Sequence, residues 1–129
     1  MPKGNVYQWN YKKLDRLTGG IKEFVSKPEN YKKIKNEPFM DLVIECIGEN
    51  IISLAHYYEQ GGDLIPDPDI EIKVMPEFEA VEVLAYQDNF KYQKVYTEDG
   101  KSYYPKLRKE LNSFLNFWLN NLKKQGFYK

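Results

Sequence analysis

The chain has one cysteine, Cys46, and one histidine, His56, among its 129 residues. A single thiol excludes an internal disulfide framework, and a reducing, cytoplasmic setting is the expectation. No apolar run approaches the ~20 residues that cross a bilayer as a helix, so no membrane partner is expected. The opening MPKGNVYQWNYKK lacks the apolar core of a signal peptide. No Walker loop and no GxGxxG occurs, which removes the commonest ways of cradling phosphates. With one histidine there can be no HExxH or HxxxH pair, so helix-borne zinc sites of that type are excluded as well. Repeats and low-complexity tracts are also missing.

Net charge is zero, 19 Lys/Arg against 19 Asp/Glu, but the charges are not mixed evenly. Residues 1–37 carry nine basic and four acidic side chains, residues 38–100 three and fourteen, residues 101–129 seven and one. Basic ends therefore flank an acidic middle. Basic helices packed beside an acidic sheet account for this pattern, and a shared basic face for nucleic acid is the less favoured reading. Aromatic residues are plentiful, with eleven tyrosines and seven phenylalanines, as strands with half-buried faces require. The length suits one domain, 1–129, that removes roughly two-thirds of its unfolded surface from water.

Tyr11, Leu14, Leu17 and Ile21 recur at helical spacing, interrupted at Thr18-Gly19-Gly20, which predicts a short helix, a break and a second turn through Val25. The Lys-rich YKKIKNEP that follows reads as a polar connection. Leu42, Ile44 and Cys46 share one face with Asp41 and Glu45 on the other, Ile70, Ile72 and Val74 alternate with Asp69, Glu71 and Lys73, and both segments read as half-buried strands. Ile51–Glu59 and Val81–Ala85 supply two more, and Phe90–Tyr96 is a weaker fifth. Pro105 suits the first turn of a helix, and Leu107, Leu111, Phe114, Leu115, Trp118, Leu119 and Leu122 make a continuous apolar stripe behind it. The expected fold is α+β: an antiparallel meander of four or five strands, with N-terminal helices and a long C-terminal helix packed on one face.

Residues with chemical capacity concentrate in one place. His56 lies on the second strand, sharing parity with Ile52, Leu54 and Tyr58, and Asp63, Asp67 and Asp69 follow a Gly61-Gly62 turn. Neighbouring strands lie ~5 Å apart, so these four could converge as a hydrolytic metal site. Turn chemistry explains the same residues, since Gly supplies positive φ, Pro fixes φ, and Asp63 and Asp67 can accept backbone N–H bonds. That structural reading of the Gln60–Asp69 connection is preferred, and no metal or cofactor is expected. A Cys46–His56 thiol dyad is disfavoured because Cys46 shares parity with Leu42 and Ile44. FKYQKVY, Phe90 to Tyr96, interleaves rings and lysines as single-strand binders do, or forms a strand with one aromatic face.

Two longer stretches carry a resemblance. NEPFMDLVIE (Asn36–Glu45) and ISLAHYYEQGGDLIPDPDIEI (Ile52–Ile72) resemble an uncharacterised bacterial domain family associated with plasmids, phages and integrative elements. Its central signature matches His56-Tyr57, Gln60, Gly62-Asp63-Leu64 and Asp67-Pro68. AYQDNF and LNSFLNFWLNNLKKQGF resemble its later blocks. Leu84–Gln87 and Leu111–Leu119 are also similar, more distantly, to a second uncharacterised proteobacterial family, whose Tyr-His-Asp-Ala element this chain lacks. Neither resemblance implies an activity or catalytic residues. The expected function is that of a small soluble accessory or interaction protein with a protein partner and no catalysis. A metal-dependent hydrolase or nuclease on His56, Asp63, Asp67 and Asp69 is the alternative, and weak nucleic-acid binding by the basic ends is the third reading.

Overall fold

The computed structural model describes residues 4–129. Residues 1–3 lie outside, among them Lys3 of the basic first segment and the start of the expected domain and of the opening read for a signal peptide. Helix α1 (Val6–Thr18) begins at Asn5, whose side-chain oxygen accepts the Gln8 N–H at 3.1 Å. Such a cap is worth ~1 kcal/mol. The helix stops at Gly19, where φ is +77° and a β-carbon would be strained. Asp15 Oδ1 accepts the Ile21 N–H at 2.8 Å, which ties the break to the single-turn helix α2 (Ile21–Phe24).

Six strands then form one antiparallel sheet in chain order: β1 (Tyr31–Ile34), β2 (Leu42–Gly48), β3 (Ile51–Gln60), β4 (Asp63–Met75), β5 (Ala80–Gln87) and β6 (Tyr92–Lys94). Helix α3 (Pro105–Lys124) follows. The class is α+β, with one more strand than the four or five expected. The addition is β1, inside the stretch read as a polar connection. Lys32 holds one of its two half-buried positions. Its stem covers apolar surface while Nζ donates to Leu17 O at 3.2 Å, at the end of α1, so a lysine does what an aliphatic residue usually does.

The Gln60–Asp69 segment is likewise not a loop. Gly61 and Gly62, with φ of +61° and +89°, make the whole turn, and Gln60 pairs with Asp63. Two residues of positive φ match the right-handed twist of the flanking strands. Pro66 and Pro68 are tolerated because β4 meets β5 only from Asp69 onward, which leaves the earlier residues without a sheet neighbour on that side.

Alternation sends Leu42, Ile44, Ile52, Leu54, Ile70, Ile72 and Val83 inward, where they meet Leu14 and Leu17 of α1 and Leu111, Leu115, Leu119 and Leu122 of α3. Burying each such side chain stabilises the fold by ~1.5–3 kcal/mol. Both long helices thus share one face of the sheet, and a charge at Leu115, which is fully buried, would break the layer.

Candidate functional site on the open face of the sheet

The strand register lays two rows of side chains across the other face, through all six strands. One row is Tyr31, Glu45, Ser53, Glu71, Ala85 and Lys94; the next is Lys33, Val43, Ala55, Asp69, Gln87 and Tyr92. Ser53, Ala55 and Ala85 are small and are buried beneath their longer neighbours. Three carboxylates occupy the middle of the two rows, with tyrosine and lysine at both edges.

Asp69 is held at the centre. Ser53 Oγ donates to its Oδ1 at 2.6 Å and Tyr57 OH to its Oδ2 at 3.1 Å. Burial, then the Asp69 charge, pushes the Tyr57 phenol up to about 12. Glu71 is raised above the usual carboxylate range, first by burial and then by Asp69, with Lys94 opposing. Beside this cluster lies a groove of about 540 Å³. Its walls are Tyr31 and Lys33 of β1 and Tyr57, Glu59 and Leu64 of the β3–β4 hairpin, and Asp41, Val43 and Glu45 line it between them. Lys33 Nζ stands 3.5 Å from Asp41 Oδ2. Among the described residues Glu45 and Glu59 have no cation at ion-pair distance.

The four residues singled out in the sequence part company. His56 is buried on the inner face, its Nδ1 3.0 Å from Asp41 O and its ring 5.5 Å from that of Trp118 and 5.7 Å from that of Phe127. Asp69 lies on the opposite face, because it pairs with Ala55, one residue before His56. Asp63 and Asp67 are exposed on the hairpin, and among the described residues their side chains accept no hydrogen bond; the expected capping of the connection is absent because the connection is a strand. Asp88 and Asp99 do that work instead: Asp88 Oδ1 accepts the N–H groups of Phe90 and Lys91, and Asp99 Oδ1 that of Lys101. Among the described residues no three of His, Cys, Asp and Glu stand close enough to hold a metal ion. Cys46 is buried opposite Ile52, while His56 is opposite Leu42 at the far end of the same strand pair, so the two make no dyad. Tyr58, read as inward, is only half buried.

Two polar groups went unnoticed in the sequence. Asn112, on the buried face of α3, accepts the Val83 N–H at 2.9 Å and donates to Arg108 O, while its own carbonyl accepts from Asn10 of α1 at 3.1 Å. Glu82, buried on β5, accepts from Tyr96 OH at 3.0 Å and from Arg108 at 3.3 Å. The Arg108 guanidinium stacks on Tyr7 and Tyr103, 4.7 and 5.3 Å from the ring centroids. The available signal was a polar residue within an apolar stripe: Asn10 precedes Leu14 by four, and Asn112 precedes Leu115 by three and Leu119 by seven. These groups bind helices to sheet, and the candidate site is the groove on the open face.

No described helix is long and apolar enough to cross a membrane. Comparison with curated proteins and with solved structures gives no match. Both segments that carried the sequence resemblance fall within the range of a family match, and with residues 10–128 matched the chain belongs to the family described as a domain of unknown function (DUF6908).

Proposed function

We propose that this chain is a small, non-catalytic accessory protein that holds a protein partner on the open face of its sheet, in the cytoplasm of bacteria and in the setting of mobile genetic elements. The observation that supports it is the groove between β1 and the β3–β4 hairpin, where Tyr31 and Leu64 stay 57% and 65% exposed beside Glu45 and Glu59, which have no ion-pair partner among the described residues. Exposed apolar side chains gathered at a groove cost solubility and become useful when a partner covers them. The hydrolase reading loses support because His56 points into the core and the aspartates point away from it. Phosphate is an unsuitable ligand for a face dominated by carboxylates.

A photoreactive residue placed at position 64, with one at position 12 on the exposed side of α1 as reference, tests the reading in cells. A discrete cross-linked protein from position 64 is expected, and that protein, purified, should form a complex with this chain that Leu64→Asp abolishes without lowering the melting temperature. Cross-linking from position 12 alone, or a complex indifferent to Leu64→Asp, would contradict it.

A further inference from the structure

The geometry points to the occupant of the groove: an extended, basic protein segment whose arginine or lysine side chain enters between Tyr31 and Tyr57 and meets the carboxylates of Glu45 and Glu59. This inference rests on the partner-holding reading above and names the partner's chemistry.

Charge selects the sign. Around the groove stand Asp41, Glu45, Glu59, Asp69 and Glu71, while Lys33 is engaged with Asp41. Asp63 and Asp67 on the exposed hairpin extend the negative field. A cation entering here meets Glu45 and Glu59, which among the described residues have no ion-pair partner. Glu71, two strands from Glu45 in the same row, is raised first by burial and then by the Asp69 charge, with Lys94 opposing.

Shape selects a side chain over a free ion. The carboxylates are too dispersed to coordinate one metal ion. A guanidinium or ammonium on a long apolar stem suits them, since the stem packs on Tyr31, Val43 and Leu64 while the head reaches the glutamates. Tyrosine rings at the mouth add cation–π attraction, strongest for arginine.

The edge selects an extended chain. β1 ends the sheet on its side, so one row of its backbone N–H and C=O groups has no sheet neighbour. A segment laid along that edge would gain main-chain bonds, with alternate side chains directed over the groove face. Lysines of β1 discourage unspecific edge pairing, and a segment that pairs there must offset their charge by reaching the glutamates beyond.

The test uses the full chain and a fluorescein-labelled peptide of alternating arginine and threonine. The same peptide with citrulline for arginine is the uncharged control, and spermine is the small polycation. Saturable binding of the arginine peptide is expected, with the citrulline peptide and spermine each at least about tenfold weaker. Glu45→Gln/Glu59→Gln should weaken it by about tenfold or more, and Lys12→Gln should leave it unchanged. Both glutamates are exposed, so melting curves of the variants should overlay that of the parent. No binding of the arginine peptide, equal binding by spermine, or binding indifferent to the double substitution would overturn the inference. If that happens while the complex cross-linked from position 64 still forms, the open face holds a partner of other chemistry; if neither forms, both readings fall.

Discussion

At the scale of single residues, polar side chains decide more than their number suggests. Asn112, fully buried, satisfies a strand N–H and a helix carbonyl at once. Asn112→Leu leaves the Val83 N–H of β5 without a partner, and chemical denaturation should show a loss of ~1–3 kcal/mol. Tyr57 offers a pH-dependent readout. Its folded-state value of about 12 exceeds the ordinary 10.0, so the stability tied to the neutral phenol is complete below pH 10 and is lost as pH rises through about 12. An ultraviolet titration of the folded protein should show late-ionising phenols, Tyr86 being the other pushed to about 12. Tyr57→Phe should remove one of them; an unchanged titration would mean that Tyr57 is not bonded to Asp69. Asp69 was conspicuous in the sequence, but its partners were not. Linear spacing suggested His56, whereas alternation along β3 puts Tyr57 and Ser53 on the face of Asp69 and His56 on the other.

At the scale of elements, the long helix was fully legible, because seven apolar residues at helical spacing admit one amphipathic solution. Leu115 sits fully buried in that stripe, and Leu115→Ala should cost ~2–5 kcal/mol in equilibrium unfolding. β1 was not legible, since its inward positions are filled by Lys32 and Ile34, and a lysine stem carries no apolar signal. The β3–β4 hairpin was half legible: Gly61-Gly62 announced the turn, but Pro66 and Pro68 suggested a loop, which is a sound inference for a central strand and fails for one that is locally an edge. The hairpin depends on positive φ at Gly62, so Gly62→Ala should destabilise it by ~1 kcal/mol. Hydrogen exchange should register this as faster exchange from Tyr57 to Ile65, with the core strands unaffected.

At the scale of the whole molecule, zero net charge hides two unlike layers. α1 and α3 pack side by side and carry eight of the sixteen basic side chains of the two ends, and burial, then Lys123, lowers Lys13 below the usual lysine value. The opposite face carries Glu45, Asp69 and Glu71 in its central rows. The charge blocks of the sequence foreshadowed this division, but not the groove, which needs the register of four strands to exist at all. The helical layer covers one side of the sheet, and the proposed partner site lies on the other. A backbone amide chemical-shift map of the full chain during titration with the alternating arginine peptide tests this most directly. The account predicts shifts concentrated at Tyr31–Lys33, Val43–Glu45 and Tyr57–Leu64, with α1 and α3 unchanged; shifts centred on the lysines of those helices, or none at the groove, would contradict it.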